Sequence, residues 1–286
     1  MKGMTRARGM LWILLLLIGL VTLLYLFQDR MIYYPRRYSA ADLDLAGSRV
    51  TPIRFRTAEG NQTAFYVSPD AASRSFPGGV WVVFGGNATL ALDWRDFAER
   101  YPGGSGFLLV DYPGYGVCEG RPDPRSILES TRGALRALAA HAGVDSAELL
   151  QGVSLLGHSL GAAAALQAGA VIPARQILLI APFTSMRAMA KRSVGVPLAY
   201  LLRHDFDNEA RLGEILRSPH PPDVAIVHGG NDEVIPVSMG RALARSHAGA
   251  VRYLEIQGGT HNSVIALQES LLYGEMGRID IQSPNP

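Results

Sequence analysis

Apolar positions along this chain fall into three patterns, and each predicts a different kind of element. The first is one unbroken apolar block near the start. Gly9 to Gln28 carries no charge. At about 1.5 Å per residue it makes roughly 30 Å of helix, enough to span a hydrocarbon core. The second pattern is a series of short apolar runs bounded by glycine, proline, asparagine or aspartate. Gly79 to Phe84, Gly106 to Val110, Val153 to Leu156, Gln176 to Ile180, Asp223 to Val227 and Val251 to Ile256 are of this kind. Such runs predict strands buried on both faces, as in parallel sheets. Arg49 to Thr57 and Gln62 to Ser68, joined through Glu59-Gly60-Asn61, predict a hairpin. The third pattern is helical. Leu92 to Tyr101, Ser126 to His141, the alanine-rich run Ala162 to Ala170, Pro236 to His247 and Ser263 to Tyr273 are the predicted helices.

Strand and helix alternate along the chain. That order predicts right-handed βαβ crossovers and a mostly parallel sheet flanked by helices, an α/β fold with the hairpin as an antiparallel N-terminal edge. Residues 183–219 break the rhythm. They mix Met186, Met189, Val196, Leu198, Tyr200 and Leu202 with basic residues and return to the sheet late. This stretch is expected to form a short helical cap above the sheet's C-terminal edge. The organisation expected is a cytoplasmic tail (1–8), a transmembrane signal anchor (9–28), one α/β domain (29–273) with the cap at 183–219, and a flexible tail (274–286). There are no internal repeats and no linker long enough to divide the domain.

The apolar block has two readings, a cleaved signal peptide or an uncleaved anchor. Its core ends Leu23-Leu24-Tyr25-Leu26-Phe27, with no small-residue cleavage site, so an anchor is expected. Lys2, Arg6 and Arg8 precede it; Arg30, Arg36 and Arg37 follow. The free amino terminus tips the positive charge inward, which puts the folded domain on the extracytoplasmic side, periplasmic in a bacterium. Met31-Ile32-Tyr33-Tyr34-Pro35 is the membrane-proximal stem, with tyrosines suited to the interface.

Composition narrows the chemistry. Of 286 residues, 27 are Lys or Arg and 25 Asp or Glu, a net charge of +2. That balance, with basic residues scattered, gives no footprint for nucleic acid. Cys118 is the sole cysteine, so no intramolecular disulfide forms, and no Cys/His cluster has zinc spacing.

The chemical signal lies at Gly157-His158-Ser159-Leu160-Gly161. It reads Gly-x-Ser-x-Gly between a predicted strand and a predicted helix, the context of a nucleophile elbow. The bland rival is a glycine-rich turn with a serine N-cap. A serine hydroxyl needs a base, normally a histidine held in one tautomer by a carboxylate, and in this type of fold the chain order is serine, acid, histidine. His261, in Gly258-Gly259-Thr260-His261-Asn262 after the last strand, meets both order and position. His158 sits inside the elbow and points away from its own serine. His228 precedes the acid, and His141, His204, His220 and His247 lie in or beside helices or the cap. Asp232, in the loop after the penultimate strand, is the acid candidate, with Glu233 its close rival. Asp111 precedes the serine and reads as a structural turn residue. Asp205 and Asp207 are expected to tie the cap to the body. The oxyanion needs two N–H groups: Leu160 at the start of the elbow helix, and Asn87, with Gly86 in reserve, after the earlier strand.

These residues resemble the α/β-hydrolase superfamily, and within it the membrane-anchored Bem46-like group, relatives of the ABHD13- and ABHD17-type serine hydrolases. The resemblance runs from Ile32-Tyr33-Tyr34-Pro35 to about Tyr273. Phe84-Gly85-Gly86-Asn87-Ala88, Asp111-Tyr112-Pro113-Gly114-Tyr115-Gly116 with Glu119-Gly120, the elbow, Pro182-Phe183-Thr184-Ser185, Phe206-Asp207-Asn208, His228-Gly229 with Asp232 to Pro236, and Gly259-Thr260-His261-Asn262 carry it. It implies Ser159 as nucleophile, Asp232 as acid and His261 as base, with Asn87 and Leu160 forming the oxyanion hole. The family usually has His-Gly-Asn where this chain has Gly85-Gly86-Asn87, and often a serine at Cys118, to which no chemistry is attached. The function expected is a membrane-tethered serine hydrolase of esters or thioesters, on lipid-like, acylated or other small-molecule substrates. It needs no metal or organic cofactor. A serine peptidase or amidase, and a catalytically silent binding protein on the same fold, are the alternatives.

Overall fold

The computed structural model describes residues 2–69 and 79–278. The sheet has eight strands: β1 Val50–Thr57, β2 Gly60–Val67, β3 Val80–Phe84, β4 Gly106–Val110, β5 Val153–His158, β6 Gln176–Ile180, β7 Asp223–Gly229 and β8 Val251–Ile256. Their order across the sheet is β1-β2-β4-β3-β5-β6-β7-β8. β1 pairs antiparallel with β2, and β2 with β4; from β4 onward every neighbour is parallel. The hairpin therefore forms the antiparallel edge that its alternation and turn predict. Strands β3, β4 and β6 are buried along their whole length, as continuous apolar runs require.

The helices are α1 Lys2–Ile32, α2 Arg95–Arg100, α3 Pro124–Ala142, α4 Ser146–Gln151, α5 Leu160–Gly169, α6 Met186–Val194, α7 Val196–Ala199, α8 Asn208–Leu216, α9 Val237–Ser246, α10 Ser263–Leu267 and α11 Glu269–Met276. A short 3-10 turn, Ala91–Trp94, leads into α2. α3 shows why such boundaries fall where they do. Asp123 caps its first turn by accepting from Ser126 N, Pro124 occupies a position with no N–H to satisfy, and Gly143 at φ 70° ends it.

Side chains alternate between two cores. Val80, Val82, Phe84, Leu155, Ile177, Leu179, Val224 and Ile226 face α3, α5, α8 and α9. Trp81, Val83, Leu156, Leu178, Ile180 and Val227 face the Trp94–Phe97 pair and the last helices. Each large side chain buried there contributes about 1.5–3 kcal/mol.

Three boundaries differ from expectation. α1 continues past Gln28 to Ile32, because the stem's first residues are docked on the body and keep their helical hydrogen bonds; Tyr33 N still donates to Asp29 O at 2.8 Å. The segment 183–219 is not all cap. α6 and α7 rise above the sheet edge, whereas α8 is a body helix that buries Leu212 and Ile215 beside α5. Asp205 pairs with Arg187 at 2.7 Å within the cap, whereas Asp207 caps α8 and bridges to Ser185, tying the cap to that body helix. Finally, α11 runs to Met276, whose buried side chain anchors it, so residues 274–276 are not loose; 279–286 lie outside the described residues.

α1 is long and apolar enough to cross a membrane over Arg8–Ile32, and none of its most apolar window is buried in the protein.

Candidate active site

The parallel strands point their C-terminal ends in one direction, so the loops that follow β3, β5, β7 and β8 meet over one edge. Backbone strain collects there. Among the described residues, the non-glycine residues with positive φ are Ala88, Ser159 and Ala181, each just after a strand. Such conformations cost on the order of 1–3 kcal/mol each and persist only where the surroundings hold them. Ser159 sits at φ 57°, ψ −118°. Its N–H donates to Ile180 O at 2.9 Å, and its carbonyl accepts from Ala162 N at 3.0 Å. The flanking glycines are required by close approach. A Cβ on Gly157 would overlap the Gly161 carbonyl, and one on Gly161 the Phe84 carbonyl.

His261 Nδ1 lies 2.8 Å from Asp232 Oδ2. The carboxylate can only accept, so Nδ1 carries the proton and Nε2 is left with its lone pair. Glu233, the rival acid, reaches only the main chain, accepting from His261 N at 3.3 Å. The Asp232 side chain is fully buried. Burial alone would raise its pKa. Hydrogen bonds from His228, His261 and the Ile235 N–H outweigh that and hold it well below the usual carboxylate range. Val234 N also donates to Asp232 Oδ1, at 2.9 Å, beside Ile235 N at 2.7 Å.

Two further histidines belong to the arrangement; order along the chain sets His228 aside, and its place inside the elbow sets His158 aside. His228 is fully buried, with Nε2 3.3 Å from Asp232 Oδ2 and 3.0 Å from Ile235 O. Both neighbours are acceptors, which puts its proton on Nε2. His158 Nε2 lies 3.1 Å from the His261 carbonyl, and its ring centroid is 4.8 Å from that of His261. Burial, then the neighbouring His261, hold the His158 pKa down to about 3, so it is a neutral donor. The sequence signal for His228 is its place at the end of β7, four residues before Asp232.

Ser159 Oγ makes no hydrogen bond to His261 among the described residues; the two are brought to the same strand-end cluster without being joined. The backbone N–H groups of Asn87 and Leu160 also have no hydrogen-bond partner among the described residues. The Asn87 side chain is engaged elsewhere. Its Oδ1 accepts from Tyr34 N at 2.9 Å and Tyr115 Oη at 2.8 Å, and its Nδ2 donates to Ile32 O at 2.6 Å.

The loop without the family's histidine is steadied by other groups. Tyr112 Oη donates to Gly85 O at 2.6 Å and Thr89 Oγ1 to Gly86 O at 2.7 Å. Tyr112 and Tyr115 both come from the Asp111-to-Gly116 turn. Asp111 itself accepts from Tyr38 Oη at 2.7 Å and Ala91 N at 2.8 Å; burial raises its pKa to about 6. Cys118 packs against Thr63, and burial pushes its thiol up to about 12. Among the described residues no cluster of His, Cys, Asp and Glu could hold a metal ion.

A parallel sheet with a strained serine turn after β5 and an acid–histidine pair after β7 and β8 is the layout of an α/β hydrolase. Residues 75–220 match the alpha/beta hydrolase family, and the chain belongs to it. It is 29% identical over 249 residues to an uncharacterized protein of Mycobacterium tuberculosis, covering 85% of this chain and 84% of that one. It is 25% identical over 236 residues to alpha/beta hydrolase domain-containing protein 17C of Xenopus tropicalis, covering 80% and 68%. Among solved structures, an alpha-beta hydrolase from Vibrio vulnificus superposes with a TM-score of 0.66 at 16% identity, over 87% of this chain and 92% of that one. A thermophilic esterase from Thermogutta terrifontis gives 0.61 at 18%, over 87% and 100%.

Proposed function

We propose that this hydrolase-family chain is a serine hydrolase that cleaves carboxylic esters or thioesters through an acyl-enzyme on Ser159. The observation that carries the reading is the His261–Asp232 pair, 2.8 Å apart, at the sheet edge that holds the strained Ser159 turn. His261 Nε2 takes the Ser159 proton as Oγ attacks the carbonyl carbon. The N–H groups of Leu160 and Asn87 hold the oxyanion, each worth roughly 3 kcal/mol in the transition state. His261 then gives the proton to the leaving alcohol or thiol. Water, deprotonated by the same imidazole, releases the acid and frees Ser159. The chemistry asks for no metal or organic cofactor.

A fluorophosphonate probe tests this directly. Wild type is expected to label covalently and Ser159→Ala not at all; equal labelling of the two, or none in either, overturns the reading. We further propose that α1 anchors the protein and that the body lies on the extracytoplasmic side. The support is the basic Lys2, Arg6 and Arg8 ahead of the span. A reporter fused at the C-terminus that behaves as cytoplasmic defeats that orientation.

A further inference from the structure

α1 does not simply lead into the body; its last turns are built into the rim of the active site. The Gln28 side chain is buried, with Oε1 accepting from Arg203 N at 2.7 Å and Nε2 donating to Leu201 O at 3.4 Å. Asp29 pairs with Arg203 at 2.9 Å, and the Arg203 guanidinium lies 5.3 Å from the Tyr25 ring. On the other side, Asn87 grips Ile32 O. One residue thus offers its N–H to the oxyanion and its side chain to the end of α1.

Between α1, the cap and the strand-end loops lies a cavity of about 300 Å³. Ser159, Leu160 and Asn87 are among the residues that line it. Leu24, Met31 and Ile32 of α1 line it together with Met186, Met189 and Leu198 of the cap. The walls are mainly apolar, and the Gln28 amide is clamped by the cap main chain, so the space suits a hydrocarbon. The exposed apolar surface of α1 runs past the level where the cavity begins: Met10 through Ile18, Leu20, Leu23, Tyr25, Leu26, Phe27 and Met31 are exposed, and Leu24, Tyr25 and Met31 also line the cavity. An apolar path therefore runs along α1, from the part suited to a bilayer down to Ser159.

We propose that α1 is one wall of the acyl site, and that the substrate is a membrane-resident long-chain acyl ester or thioester whose chain enters along α1. This rests on the serine-hydrolase reading above. Moving an acyl chain from lipid into this cavity exchanges one apolar surrounding for another, so extraction is not opposed by exposure to water. Ser159 Oγ bonds to the acyl carbon. The C–O or C–S bond breaks, the alcohol or thiol leaves with the proton from His261, and water then releases the fatty acid.

The test uses the full-length chain in detergent and in liposomes. Leu24→Trp and Met31→Trp fill the cavity from α1; Leu23→Trp places the same ring at the adjacent exposed position. The readout is the ratio of kcat/KM for palmitoyl against butyryl thioesters. We expect that ratio to fall at least tenfold in Leu24→Trp and Met31→Trp and to hold in Leu23→Trp. A wild type that labels with fluorophosphonate, and whose ratio is the same in all variants, overturns the inference and leaves the hydrolase reading standing. A wild type that neither labels nor cleaves either substrate overturns both. A second measurement needs no variant: a palmitoyl-chain fluorophosphonate with a terminal diazirine should cross-link to residues 24–32, and cross-links confined to the body sink the proposal.

Discussion

At the scale of single residues, the site turns on how Asp232 is held. A buried carboxylate stays ionised only if donors replace the water it lost, and here two histidines and two backbone N–H groups do so. Asp232→Asn keeps the shape but offers His261 the wrong partner; we expect kcat to fall about 10⁴-fold with KM little changed. His228→Leu removes one donor with little change in volume. It should lower kcat about tenfold, the equivalent of about 1.4 kcal/mol. His228→Gln, which keeps an N–H donor for Asp232, should recover most of that loss. A His228→Gln variant as impaired as His228→Leu would mean that His228 is only packing. The strained turn at Ser159 and the strand-end positions of Asp232 and His261 are legible from a local motif and from order along the chain. His228 is not, because order along the chain excludes it. Its role depends on a side-chain meeting across a turn, which spacing does not report.

At the scale of elements, the elbow is governed by backbone contact. Gly161→Ala would drive a Cβ into the Phe84 carbonyl, a clash that no rotamer relieves. We expect a loss of more than about 3 kcal/mol in urea unfolding, or an insoluble product. The clamp on α1 makes a gentler prediction. Gln28→Ala leaves Arg203 N without its acceptor, costing about 1–3 kcal/mol locally. Trypsin cleavage after Arg203 should quicken, with the global unfolding midpoint barely moved. The short buried strands are readable because an apolar run bounded by turn residues is a local signal. α8 does not separate from the cap in the sequence, although Leu212, Ile215 and Leu216 have helical spacing. An apolar face says that a helix is buried, not which surface buries it. The same limit hides the docking of α1. Its last turns read as the end of an apolar block, and only packing shows them gripping Asn87 and Arg203.

For the molecule as a whole, two buried groups pull stability in opposite directions with pH. His158 has a folded pKa of about 3 against an ordinary 6.5. Between those values the unfolded chain holds the extra proton, so stability is lost as pH falls from about 6.5 towards 3. Asp111 has a folded pKa of about 6 against 3.8, so here the folded chain holds the extra proton and stability is lost as pH rises from about 4 to 6. Each effect is on the order of a few kcal/mol. His158→Gln, which keeps a donor for the His261 carbonyl, should lose less stability between pH 7 and pH 4.5 than wild type in urea titrations. Asp111→Asn should instead lose less on going from pH 4.5 to pH 7. The sequence by itself determined the α/β class, the antiparallel edge, the serine turn and the order of acid and histidine. Those depend on apolar periodicity, on glycines at tight turns and on position along the chain, all of which are short-range or linear. Only the tertiary structure decided that Asp232 rather than Glu233 meets the imidazole, that His228 shares that carboxylate, and that α1 forms a wall above Ser159. Each of these is a contact between segments far apart in sequence or turned by a loop, where a shift of one residue's direction changes the partner.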